Sequence, residues 1–369
     1  MRNLIRSSLI CWLILAGVLN PAWADEKFRI VRLTDGLEHP WGMAFLPDGR
    51  ILVTERPGRL RIVKNGNLLP KAVAGLPFIE AYGQGGLLDV VLHPDYVNNG
   101  WIYFSYAAPG DKGMGTEVGR ARLQGERLVD WQMLFRMLPK SGGGRHFGSR
   151  LVFDTEGYLY ITVGDRGARN RAQLLDDHAG SVIRLHADGS IPTDNPYAQH
   201  AYAKPGIYSY GHRNPQGAAL HPSTGRLWIH EHGPQGGDEI NIIRPGANYG
   251  WPVISYGEEY GTDIAVGEGT HKAGMEQPIY YWVPSIAPSG MTFYNAEKFP
   301  QWQGSLFVGS LKFRLLVRLE LEGDQVVREE RLLENELGRI RDVRTGPDGY
   351  LYLLTDASNG QLVRLEPAN

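Results

Sequence analysis

The chain has 369 residues, with 38 Lys and Arg against 40 Asp and Glu for a net charge of −2. So weak a bias, without basic runs, excludes nucleic acid or an anionic membrane as the main partner. A single cysteine, Cys11, excludes a disulfide framework, while 47 glycines and 18 tyrosines predict many turns between aromatic strands.

The first 24 residues read as a signal peptide. Arg2 and Arg6 form a short basic region, residues 9–18 are apolar and uncharged, and Ala22-Trp23-Ala24 gives the small-x-small pattern of a cleavage site. That apolar stretch is short for a bilayer span, and Ile10 before Cys11 argues against a lipoprotein anchor. Cleavage after Ala24 leaves a mature chain, 25–369, with no cysteine and no segment apolar enough to cross a membrane. Taking Arg2 and Arg6 from the 38 cations leaves 36 against 40 acids, a net charge of −4. The expected compartment is the periplasm.

From there one pattern recurs: an apolar strand, a tight turn of Pro/Asp-x-Gly type, and a second apolar strand. Trp41-Gly42-Met43-Ala44-Phe45, Pro47-Asp48-Gly49 and Ile51-Leu52-Val53-Thr54 form the first copy. The next three turn at His93-Pro94-Asp95, Asp154-Thr155-Glu156-Gly157 and His221-Pro222-Ser223-Thr224-Gly225. A degenerate copy runs from Met291-Thr292-Phe293 to Ser305-Leu306-Phe307-Val308, and the last turns at Pro347-Asp348-Gly349. Each copy reads as a hairpin, and a spacing of roughly 45 to 80 residues leaves room for four strands plus loops. The expectation is an all-β, six-bladed β-propeller with four-stranded antiparallel blades, its early strand at 28–33 completing the last blade. A pair of sandwich domains is the alternative, but no Ser/Pro-rich linker divides the chain.

Five polar clusters fall at the expected blade edges: Gly83-Gln84-Gly85-Gly86; Arg145-His146-Phe147-Gly148 with Gly164-Asp165-Arg166-Gly167; Gly211-His212-Arg213-Asn214-Pro215; Glu231-His232-Gly233-Pro234 through Glu239; and Lys312 with Arg339-Ile340-Arg341-Asp342. Each alone has an ordinary reading as a turn, a structural histidine or a solvated basic face. Together they matter, because a propeller converges blade edges over its axis. Arg339 and Arg341 alternate and so share one face. Arg213, Lys312, Arg339 and Arg341 aimed at one place call for an anionic ligand, and guanidinium matches carboxylate in bidentate fashion.

In these motifs the chain resembles the soluble PQQ-dependent aldose sugar dehydrogenases, relatives of soluble quinoprotein glucose dehydrogenase, over essentially all of its mature length. The resemblance implies oxidation of aldose sugars by pyrroloquinoline quinone (PQQ) with Ca2+. Lys312, Arg213, Arg339 and Arg341 would then neutralise the quinone carboxylates, and Gln84 and Asn214 would hydrogen bond to it. His146 would be the general base and would border the cofactor, with Asp165 orienting its ring. Backbone carbonyls of Gly233 and Pro234 would hold the cofactor calcium, and Glu239 with the Tyr249 carbonyl a second one, although Glu239 could equally pair with an arginine. The implied partners are an aldose sugar and an external electron acceptor, for a monomer or homodimer. Trp251, Tyr256, Tyr260, Tyr280, Tyr281 and Trp282 suit either a sugar platform or loop packing. Two rival readings remain: a non-enzymatic glycan- or protein-binding propeller, and a calcium-dependent lactone hydrolase, which needs acidic ligands at the channel centre.

Overall fold

Alternating apolar positions and glycine turns build the strands of this chain, described by a computed structural model over residues 27–368. The proposed signal peptide therefore lies outside the described residues. After β1 (Phe28–Leu37), blade one comprises β2 (Pro40–Phe45), β3 (Ile51–Glu55), β4 (Arg59–Lys64) and β5 (Asn67–Leu68). Blade two comprises β6 (Leu87–Leu92), β7 (Trp101–Gly110), β8 (Gly113–Gln124) and β9 (Arg127–Arg136). Blade three has β10 (Leu151–Phe153), β11 (Tyr158–Val163), β12 (Ser181–His186) and β13 (Ile207–Tyr210). Blade four has β14 (Pro215–Leu220), β15 (Leu227–Glu231), β16 (Asp238–Ile242) and β17 (Tyr280–Trp282). Blade five has β18 (Pro288–Phe293), β19 (Leu306–Ser310), β20 (Leu316–Glu322) and β21 (Gln325–Leu332). Blade six has β22 (Ile340–Thr345), β23 (Leu351–Thr355) and β24 (Gly360–Pro367), and takes β1 as its fourth strand.

All six sheets are four-stranded and antiparallel, as the repeats predict. The closing strand is longer than expected, reaching Leu37, and pairs from Phe28↔Pro367 to Leu37↔Gly360. That pairing joins the first and last described strands and leaves the ring without an open seam. Apolar faces pack between neighbouring blades: Leu52 and Ile62 meet Ile102 and Phe104, and Trp228 and Ile240 meet Val308 and Val317. Burying each such side chain contributes about 1.5–3 kcal/mol, so a blade is stable only beside the next. Among the described residues no helix is long and apolar enough to cross a membrane.

The first strand of every blade lines the axis. The Pro-Asp-Gly turns join first to second strands at one end of the channel. The polar clusters lie at the other end, where first strands begin and second strands end.

Candidate functional site

At that mouth lies a cavity of about 290 Å³ walled by Trp41, Arg56, Gln84, Asn214, Gln216, His232, Arg339, Arg341 and Asp356, among others. Three guanidiniums face one carboxylate. Asp356 accepts from Arg341 Nη2 at 2.8 Å, Arg339 Nη2 at 3.2 Å and His39 Nδ1 at 2.9 Å. Arg339 and Arg341 thus do share a face. Arg56 donates to the Gly83 carbonyl and forms no ion pair among the described residues. Arg341 Nε is buried without a partner among the described residues. The cavity carries an excess of fixed cation, and the lining fits an anion.

Of the residues expected at a cofactor, Gln84, Asn214, Arg339 and Arg341 line this cavity. Gln84 Oε1 accepts the His146 N–H at 2.7 Å, and Asn214 Oδ1 accepts that of Gly148 at 3.1 Å. Neither NH₂ end is bonded among the described residues, which leaves both for a ligand. Arg213 is buried behind the wall, where Nη1 donates to the His232 carbonyl at 3.1 Å and Nη2 to Tyr260 Oη at 3.4 Å. Lys312 does not enter: its side chain is exposed, with Nζ 5.4 Å from the Phe313 ring centroid.

His146 sits in the turn before β10, at φ 56°. This is a backbone region that a non-glycine residue occupies at some cost, and one that recurs at functional sites. Its neighbours permit the tight approach: a Cβ on Gly164 would lie 2.3 Å from the His146 carbonyl oxygen. The ring is buried, and Nδ1 donates to Asp165 Oδ1 at 2.6 Å. Burial lowers the His146 pKa more than its bond to Asp165 raises it, so the ring is held neutral, with Nε2 as its lone-pair nitrogen. Burial pushes Asp165 upward, but the bonds from His146 and Gly167 outweigh it and keep the carboxylate ionised.

Beside Arg213 is a second, ion-sized cavity of about 10 Å³, lined by Glu231, Gly233, Glu239, Tyr249 and Trp251 among others. Pro234 is not part of that lining. Glu231 and Glu239 stand directly opposite on β15 and β16, a destabilising placement for like charges. Burial and the Glu231 charge raise the Glu239 pKa well above the carboxylate range. Glu239 bonds Asn241 Nδ2 at 3.1 Å and pairs with no arginine among the described residues. Glu231 accepts from His212 Nδ1 at 2.8 Å. Two facing acids, of which Glu239 has Asn241 as its one donor among the described residues, fit a hard divalent cation. The sequence places Glu231 in a motif but gives it no ligand role, although it and Glu239 flank one hairpin loop symmetrically. Asp356 and Arg56 carry no motif that could have revealed them.

The aromatic segment divides. Tyr280 Oη and Trp282 Nε1 both bond Glu329 and are packing. Tyr256 stacks on Tyr281 at 4.0 Å, Tyr260 meets Arg213, and Trp251 turns inward to Asp165.

The sequence model of the Glucose / Sorbosone dehydrogenase family matches residues 37–364. Aldose sugar dehydrogenase YliI of Escherichia coli is 49% identical over 351 residues, covering 94% of this chain and 95% of that one. Quinoprotein glucose dehydrogenase B of Acinetobacter calcoaceticus is 30% identical, covering 90% and 86%. The apo crystal structure of the soluble aldose sugar dehydrogenase of E. coli superposes with a TM-score of 0.90 at 47% identity, over 93% of this chain and 100% of that one. The PQQ-bound aldose sugar dehydrogenase of Streptomyces coelicolor superposes at 0.75 with 27% identity, over 92% and 99%.

Proposed function

This chain belongs to the glucose/sorbosone dehydrogenase family, and from that premise we propose that it oxidises aldose sugars to lactones with PQQ and Ca2+. One observation carries the reading: the buried His146 ring is bonded to the Asp165 carboxylate, and its backbone N–H to Gln84, which lines a cavity where three guanidiniums face one carboxylate. Two relatives named as an aldose sugar dehydrogenase and a quinoprotein glucose dehydrogenase, and a PQQ-bound structure of the same fold, support it.

Arg339, Arg341 and Arg56 would hold the quinone carboxylates, with Gln84 and Asn214 donating from their free NH₂ ends. Arg213 beneath and Lys312 at the rim extend the positive field. When bound, the quinone supplies a two-electron hydride acceptor that calcium polarises as a Lewis acid. His146 Nε2 takes the proton of the anomeric hydroxyl, and Asp165 stabilises the imidazolium that forms. The carbonyls of Gly233 and Pro234 would hold the cofactor calcium, and Glu239 with the Tyr249 carbonyl a second one, there joined by Glu231. Export to the periplasm and reoxidation by an external acceptor complete the reading. The acids a hydrolase would need at the channel centre, Asp89 and Asp342, are instead bound by Arg150 and Arg344.

Protein made in a host without quinone synthesis is expected to fold, stay inactive on glucose, and gain activity only when PQQ and Ca2+ are both added. His146→Gln should still bind quinone, while sugar-dependent reduction slows roughly 10²–10⁴-fold in stopped flow. Turnover without quinone, or with NAD alone, would overturn the reading.

A further inference from the structure

We propose that Trp251 is a positioning residue for this reaction: its indole N–H holds the Asp165 carboxylate, which in turn holds the His146 ring. The inference rests on the dehydrogenase reading above. Asp165 is 1% exposed, and both its oxygens are committed. Oδ1 accepts from His146 Nδ1 and from the Gly167 N–H, each at 2.6 Å. Oδ2 has one side-chain donor among the described residues, Trp251 Nε1 at 2.8 Å. Without it, one edge of a buried carboxylate would be unmet and the group free to turn about its Cβ–Cγ bond. His146 Nδ1 would turn with it. Two bonded edges fix the plane, and that plane fixes where Nε2 points.

The choice of tryptophan is chemically apt. An indole N–H donates and cannot accept, so it steadies Asp165 without giving the His146 proton a second destination. Trp251 is itself anchored. Its backbone N–H donates to the Gly211 carbonyl at 2.9 Å, and its carbonyl accepts from Gln173 Nε2 at 2.7 Å. The Arg213 guanidinium lies 5.2 Å from its ring centroid and that of Arg169 at 5.9 Å. The residue arises in the loop that follows β16 of blade four and reaches Asp165 in blade three, so it ties the base to the neighbouring blade. At 7% exposure its ring offers no open face for a sugar to stack upon, which removes it from the aromatic platform.

The test uses full-length protein reconstituted with PQQ and Ca2+. Trp251→Phe keeps an aromatic ring and loses the donor. Quinone affinity, measured by titration of the apoprotein, and the KM for glucose should stay within about threefold of wild type. The stopped-flow rate of sugar-dependent quinone reduction should fall about 10–100-fold, the usual effect of removing a supporting bond of this kind. In an Asp165→Ala background the same substitution should cost nothing further, because the partner through which it acts is gone. A merely structural tryptophan would cost the same in both backgrounds, and that additivity would overturn the proposal, as would a Trp251→Phe protein reducing quinone at the wild-type rate. Should Trp251→Phe fail to fold, proton exchange decides. One indole N–H should exchange with D₂O slowly in wild type and fast in Asp165→Ala, and equal rates would refute the bond. Failure of wild type itself to bind quinone, or to reduce it with sugar, would sink the dehydrogenase reading instead.

Discussion

Asp356 sets how much positive charge the cavity presents. Among the described residues its carboxylate is the one acid paired with Arg339 and Arg341, with His39 as a third donor. Burial pushes its pKa up, but the Arg341 charge and the bonds from His39 and Arg341 hold it well below the usual carboxylate range. A depressed folded-state pKa adds stability above the unfolded value, near 3.8, and that stability is lost as pH falls toward the folded value. Asp356→Asn should therefore lower the melting temperature at pH 7, with the gap to wild type narrowing below about pH 3.8. The same change frees two guanidiniums, so the variant should bind PQQ at least as tightly as wild type. Melting curves across pH, paired with quinone titration at pH 7, check both halves; a gap that widens in acid would contradict the assignment.

At the scale of elements, the strands were legible and the side-chain reach was not. Period-two apolar runs around Pro47-Asp48-Gly49 or Pro347-Asp348-Gly349 declare hairpins, because few other residues make those turns. The same turns fall at the end of the channel away from the site. Lys312 shows the limit: sequence order places its backbone at the right edge, but a flexible side chain chooses its own direction, here over Phe313. Glu231 and Glu239 meet only because β15 pairs with β16 in that register. The glycine loops are where local sequence and site geometry coincide. Gly83 has φ 61°, and a Cβ there would lie 2.2 Å from the Gly144 carbonyl oxygen, which accepts the Gln84 N–H at 2.6 Å. Gly83→Ala should part these two loops and withdraw Gln84 from the His146 N–H. The expected result is quinone binding about tenfold weaker, equivalent to one hydrogen bond of about 1.4 kcal/mol, with only a small drop in melting temperature. Unchanged affinity would show that the loop contact does not set the site.

At the scale of the whole molecule, one guanidinium fastens the ring around its axis. Arg150, 2% exposed and placed just before β10, forms an ion pair with Asp342 at 2.9 Å and a longer one with Asp89 at 3.4 Å. Its Nε donates to the Gln216 carbonyl at 2.7 Å and Nη2 to the Arg341 carbonyl at 3.3 Å, while the group lies 4.1 Å from the Trp41 ring centroid. Those partners belong to blades one, two, four and six, and Arg150 itself opens blade three. Arg344 closes the set from the far side, reaching Asp89 at 2.8 Å and Asp342 at 3.1 Å. Two cations and two acids balance, so the plug adds no net field to the cavity above it. Trp41, Gln216 and Arg341 nevertheless serve both the plug and the cavity wall. Breaking a buried charge network by removing one member costs about 3–5 kcal/mol, because the remaining charges stay buried and unmatched. Arg150→Met should thus lower the denaturation midpoint strongly and weaken quinone binding together, since the Arg341 and Gln216 carbonyls lose their shared donor. Arg344→Met should cost less on both counts, as Arg344 is 21% exposed and touches neither carbonyl. Chemical denaturation and quinone titration of the two variants side by side give the answer. Equal losses in both would mean that charge balance, rather than the five-blade reach of Arg150, holds the axis.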